Sequence, residues 1–212
     1  MLHLRTLGGL WLERDDGSLV DVRARWLALL AFVAAGEKGG VSRDQLLGVL
    51  WPDLDQPRAS HNLSQAIYSL RLAVGDDISI ADTKTIRLDS AKVSTDLEHL
   101  RAAVREKDGG QATRAYRGPF LTGFYLEGSP EFERWCSDTR TRVARDAEDL
   151  IEQYADACAQ NGAAAESRAS WRRLTELDPS TRDSRISMCW HWRTAGTAGA
   201  LCDTARSMLR PS

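Results

Sequence analysis

The sequence predicts a mainly α-helical chain with a small antiparallel β component, in two parts. Three observations carry this. The first 22 residues alternate apolar and polar side chains around two turn signals. Three stretches of helical periodicity follow, and the third leads into two short β-type runs. From residue 94 onward the helical period continues almost without interruption. The 212 residues suit one large domain or two small ones, and 42% hydrophobic content is enough to bury a core. The boundary falls between 1–93 and 94–212.

The N-terminal segment "LHLRTLGGLWLERDDGSLVDV" carries turn signals at Gly8-Gly9 and at Asp15-Asp16-Gly17-Ser18. It reads as two or three short antiparallel strands. In "RARWLALLAFVAAG", Trp26, Leu29, Leu30 and Val33 recur at three- and four-residue steps, with Gly36 at a C-cap position. This is the first helix, at roughly 23–35. "VSRDQLLGVLWPDLD" opens with Ser42 and Gln45 spaced as a capping box, and with Val41 and Leu46 spaced as a hydrophobic staple. The second helix runs to about Trp51 and stops at Pro52.

The third helix is "QPRASHNLSQAIYSLRLAVG", with Asp55 as its cap, Pro57 in its first turn and Gly75 at its end. Ala59, Leu63, Ala66, Ile67, Leu70 and Val74 form one apolar stripe. Helical geometry puts His61, Gln65, Tyr68 and Leu72 opposite that stripe. Ser64 and Arg71 fall on one flank, Arg58 and Ser69 on the other. "ISIADTKTIRLD" then reads as a hairpin, with Lys84 near the tip and Arg87 on the return strand.

Beyond residue 94 a helix is expected over 96–106, with Leu97, Leu100 and Val104 inward. The connector "YRGPFLTGFYLEGSPEFERW" is dense in turns and aromatics. Pro119, Phe120, Phe124, Tyr125, Phe132 and Trp135 are its packing residues. A long helix starts at Pro130 and runs to about 160, with a break near Asp138. Asn161-Gly162 is a turn and 163–177 a further helix, and 182–194 and 198–209 make a last pair. Counting back from Pro179, Trp171, Leu174, Ala155 and Ile151 stand where a 34-residue tetratricopeptide unit places its packing residues. One such unit is too short for a free-standing solenoid, so it is expected to pack on the 94–160 helices.

Charge and composition exclude several classes. The formal net charge is −2. Residues 1–93 hold 11 Lys+Arg and 12 Asp+Glu, and 94–212 hold 17 and 18, so neither half is basic. Any basic surface for nucleic acid must therefore be local. No apolar run reaches the length of a membrane span, and no secretory leader is visible, so a cytoplasmic protein is expected. Cysteines 136, 158, 189 and 202 form no CxxC pair and read as reduced thiols. "CWHW" at 189–192, with Cys202 beyond it, lacks paired ligand spacing and reads as packing. His3, His61 and His99 are dispersed. There is no P-loop, no GxSxG and no GxGxxG, so neither an enzyme nor a cofactor or metal is expected. The arginines at 168, 172 and 173 form a basic helix face that either faces solvent or takes an acidic peptide.

Several short motifs, in this order, resemble the bacterial transcriptional activators of the antibiotic-regulatory (SARP) type. The matching pieces are "LRTLGGLWL", "RARWLALLAFVAA", "VSRDQLLGVLWPD", "RASHNLSQAIYSLR", "YRGPFLTGFY", "SPEFERW" and "WRRLTELDP". They are collinear and cover nearly the whole chain. The resemblance implies an OmpR-like winged helix-turn-helix followed by a tetratricopeptide-like helical domain. It implies that 59–74 is the recognition helix and 78–88 the wing. Its candidate base contacts are Ser60, His61, Ser64, Gln65 and Tyr68, with Gln65 able to pair with adenine through two hydrogen bonds. Arg58, Arg71, Lys84 and Arg87 are its candidate phosphate contacts. Double-stranded DNA is the implied ligand, with RNA polymerase, another regulatory protein or a second protomer as protein partners. Family members usually carry a basic residue where Ser64 stands. The uncharged outward face of the third helix leaves a second reading open, a winged-helix module that binds protein and not DNA.

Overall fold

The structure, a computed structural model, describes residues 1–36, 40–76, 78–81 and 84–177. Its elements are β1 Leu2–Arg5, β2 Trp11–Arg14, α1 Ala24–Ala35, β3 Val41–Ser42, α2 Arg43–Leu50, α3 Gln56–Val74, β4 Ser79–Ala81, β5 Thr85–Leu88, β6 Val93–Thr95, α4 Asp96–Glu106, α5 Gly109–Ala115, α6 Pro130–Gln160 and α7 Ala164–Leu177. The chain falls into two compact units, Met1–Ala102 with Ala115–Arg145, and Ala103–Arg114 with Asp146–Ser212. The expected helices 182–194 and 198–209, and the tetrad at 189–192 with Cys202, lie outside the described residues.

The first unit contains two three-stranded sheets. β1 pairs antiparallel with β2, Leu4 opposite Leu12, and the alternation buries Leu2, Leu4 and Leu12. β1 is the central strand; besides this antiparallel partner, its other edge pairs in parallel with β6, Leu2 opposite Val93. Only three residues long, β6 leads directly into α4 and leaves no alternating pattern to read. The second sheet has the order β3-β5-β4, antiparallel throughout. Its two-residue strand β3 coincides with the cap of α2.

Local signals account for the first three helices. The Gln45 N–H donates to Ser42 Oγ at 3.1 Å and the Ser42 N–H to Gln45 Oε1 at 3.3 Å, completing the capping box of α2. Val41 and Leu46 are both buried. α1 is buried over most of its surface, from Ala28 through Val33. Its last carbonyls are capped from a distance: the Arg101 guanidinium donates to Ala34 O, Ala35 O and Gly36 O at 3.1, 2.6 and 3.2 Å.

The aromatic connector packs within this same unit. The Gly8 N–H donates to Pro119 O and the Leu121 N–H to Thr6 O, laying the connector along the end of β1. The Trp135 ring centroid lies 4.5 Å from Phe32, 5.2 Å from Phe132 and 5.7 Å from Phe120. Tyr125 departs from expectation, at 69% exposed. α6 runs unbroken through Asp138. No Gly or Pro interrupts it after Pro130, Asp138 itself faces solvent, and the stripe Phe132, Cys136, Thr139, Val143 continues past that point. In α4, Leu97 and Leu100 are buried as expected, but Ala103 is buried in place of Val104, which is half-buried.

In the second unit Ile151, Ala155, Trp171 and Leu174 are each at most 4% exposed, as the tetratricopeptide register requires. Gly109 opens α5 where a side chain has no room: a methyl there would fall 2.1 Å from Tyr154 Cβ. No helix among the described residues is long and apolar enough to cross a membrane.

Candidate nucleic-acid interface

α3 is a 19-residue helix with a cap at each end. The Arg58 N–H donates to Asp55 Oδ1 at 3.0 Å, and Gly75 at φ 83° closes the last turn by donating to Arg71 O. A left-handed φ of this kind suits glycine. Ala59, Leu63, Ala66 and Leu70 are buried, and Ile67 and Val74 half-buried, so the predicted apolar stripe is the inward face. It packs beside Leu29, Leu30 and Val33 of α1 and Ile78 and Ile86 of the hairpin, leaving only about 10 Å³ of void. The orientation of α3 is therefore set by a filled core.

The hairpin β4–β5 is held in place by β3. Val41 pairs with Ile86 and Ser42 with Thr85, and the Arg43 N–H donates to Lys84 O at 2.9 Å. The start of α2 and the return strand of the hairpin are thus one hydrogen-bonded piece. Asp82 and Thr83, at the hairpin turn, lie outside the described residues.

All nine predicted contact residues are exposed: Arg58, Ser60, His61, Ser64, Gln65, Tyr68 and Arg71 on α3, and Lys84 and Arg87 on the hairpin. Tyr68 is 57% exposed. Arg58 and Ser64 each have part of their capacity engaged. The Arg58 guanidinium lies 3.7 Å from Asp55 Oδ2, in an exposed pair worth little in water. The Ser64 hydroxyl donates to Ser60 O at 2.9 Å, so outward it offers an acceptor only. Residues 56–88 carry four basic side chains (Arg58, Arg71, Lys84, Arg87) against three acidic ones (Asp76, Asp77, Asp82). Asp76 is paired with Lys92 at 2.9 Å, which offsets one of the acids beside α3.

Leu72 is the residue the candidate set left out. It shares the helical phase of His61, Gln65 and Tyr68 and is 65% exposed. Its phase was visible in the sequence, but a leucine carries no polar signal to mark it as a contact. Among the described residues no group of three or more His, Cys, Asp or Glu could hold a metal ion.

Three helices, the third followed by a β-hairpin and the first packed against it, define a winged helix-turn-helix; the helical segments after it complete a mainly α chain. No family model matches the chain and no curated protein matches it. Among solved structures it is similar to Mycobacterium tuberculosis EmbR, determined in complex with a low-affinity phosphopeptide. The TM-score is 0.52 at 20% identity, over 92% of this chain and 59% of that one. At this identity the likeness shows the fold alone.

Proposed function

We propose that this chain is a DNA-binding transcriptional regulator acting in the cytoplasm. α3 reads the major groove and the β4–β5 hairpin lies on the adjacent backbone. The observation that carries this reading is the geometry of α3: its apolar stripe is consumed by a filled core, while all nine predicted contacts face outward along α3 and the neighbouring hairpin. Ser60, His61, Ser64, Gln65 and Tyr68 are the base-side residues, and Arg58, Arg71, Lys84 and Arg87 hold phosphates. In this reading 1–93 is the DNA-contacting part. Residues 94–212 are the effector part, which meets RNA polymerase, another regulatory protein or a second protomer. Activation as the direction of regulation rests on the motif resemblance alone. One protomer reads a single half-site, so useful specificity calls for a dimer or tandem sites.

Salt dependence tests the proposal. Four phosphate contacts give a log–log slope of about −4, so affinity for duplex DNA falls roughly 250-fold between about 50 and 200 mM salt. Fluorescence anisotropy with random-sequence duplex should show this for wild type. A combined Arg71→Ala, Lys84→Ala and Arg87→Ala variant should lose most of the binding. The near balance of charge over 56–88 favours a second reading, a protein-interaction module. Wild type that binds no duplex at 50 mM salt would decide for that reading.

A further inference from the structure

We infer that the base pairs under the outward line of α3 from Gln65 to Leu72 are A·T pairs, read by Gln65 on adenine and by Tyr68 and Leu72 on thymine methyl groups. This rests on the proposed function and adds the class of sequence recognised. Four side chains share one outward line at steps of four, three and four residues: His61, Gln65, Tyr68 and Leu72. At 1.5 Å per residue the line is about 16 Å long, roughly five base pairs of groove.

The chemistry of that line is selective. In the major groove guanine is read chiefly by Arg or Lys, cytosine by Asp or Glu, adenine by Asn or Gln, and the thymine methyl by apolar side chains. Between Arg58 and Arg71 there is no Arg or Lys, and between Asp55 and Asp76 no Asp or Glu. The middle of the helix thus lacks the charged readers of a G·C pair from either strand. Gln65 supplies the donor and acceptor that fit adenine. Ser64, with its proton committed to Ser60 O, offers an acceptor to either pair. Tyr68 and Leu72, 57% and 65% exposed one turn apart, place apolar surface where thymine projects its methyl. The basic residues stand at the ends of α3 and on the hairpin, positioned for backbone while the centre is left for base edges. That separation of charged ends from an uncharged, part-apolar centre favours duplex DNA as the occupant of this face.

The test is selection of binding sites from a random duplex library with the full chain at low salt, followed by atom-level substitution in the selected duplex. A·T pairs should be enriched at two or more adjacent positions, and Gln65→Ala should relax the preference at one of them. Replacing a contacted thymine by uracil removes only the methyl. It should weaken wild-type binding about fourfold, the worth of one buried methylene, and leave Leu72→Ala or Tyr68→Ala unaffected at the matching position. Both variants alter exposed side chains, and an unchanged thermal unfolding curve verifies that they fold. A selected site with G·C pairs at these positions, or uracil that changes nothing, overturns the inference while DNA binding stands. Failure to enrich any duplex overturns the proposed function and this inference with it.

Discussion

The Asp96 carboxylate accepts three hydrogen bonds from Thr6, ninety residues earlier in the chain. The Thr6 N–H lies 2.9 and 3.0 Å from its two oxygens, and the Thr6 hydroxyl donates at 2.7 Å. The Leu7 and Leu97 N–H groups add two more. Asp96 is 4% exposed and Thr6 fully buried. A single side chain thus satisfies the N–H groups where β1 ends and where α4 begins, joining the two ends of the winged-helix segment.

Replacing Asp96 by Asn keeps the shape but puts an NH₂ group among N–H donors. Buried donors left unsatisfied cost about 1–3 kcal/mol, and bonds to a charged acceptor are worth somewhat more than neutral ones. Asp96→Asn should therefore cost about 3 kcal/mol in urea unfolding. A loss under about 1 kcal/mol would mean that this network does not hold the β1 end in place.

Arg101 makes an analogous long-range cap. Its guanidinium closes three carbonyls at the C-terminus of α1, where the helix dipole is negative and no basic residue of α1 itself lies in the last turn. Arg101→Met keeps much of the apolar stem and removes the donors. The expected cost is about 1–2 kcal/mol by chemical denaturation, and no change would show that water serves these carbonyls equally well.

What could be read in advance and what could not divides along range. The caps at Ser42, Asp55 and Gly75, the stripe of α3 and the packing set at Ile151, Ala155, Trp171 and Leu174 all depend on neighbours within a turn or on a fixed repeat. Each stands where the residue pattern placed it. β3 and β6 were missed because a strand of two or three residues exists only through its partner, and that partner is forty or ninety residues away. Asp96 and Arg101 were missed for the same reason. A charged side chain in a helix looks like solvated surface until the carbonyls or N–H groups it serves are in place. At the candidate interface, helical phase was enough to identify the outward side chains. The intrahelical bond of Ser64 was not predicted, and Leu72 was placed outward without being counted among the candidate contacts.

The phase of α3 makes a paired stability prediction. Leu63 is 1% exposed and Tyr68 57% exposed on the same helix. Leu63→Ala deletes buried volume and should cost about 2–5 kcal/mol. Tyr68→Ala removes a solvent-facing ring and should change stability by no more than about 0.5 kcal/mol. Thermal or urea unfolding of the two variants side by side checks this. Comparable losses at both positions would mean that Tyr68 is packed and that the outward face has been assigned to the wrong side of the helix.

Glu13 gives the first sheet an acid dependence whose sign follows from its partners. The Trp11 indole N–H donates to Glu13 Oε2 at 2.8 Å, and Arg5 Nε donates to Oε1 at 2.8 Å. The bond from Trp11, the largest effect, holds the carboxyl below its usual pKa; burial opposes it, and the bond and charge of Arg5 add smaller lowering effects. A carboxylate whose pKa is depressed by folding adds stability that is fully present above its unfolded pKa, near 4.3. That stability is lost as the pH falls through the lower folded value. Glu13→Gln cannot titrate, so it should be less stable than wild type at neutral pH. The difference should shrink as the pH drops from about 5 to about 3. The side chain is one-fifth exposed, so the contribution is at most about 1 kcal/mol. Urea midpoints for both proteins across that range measure it. A gap between them that stays constant or widens toward acid would show that the Trp11 and Arg5 bonds do not favour the ionised carboxylate.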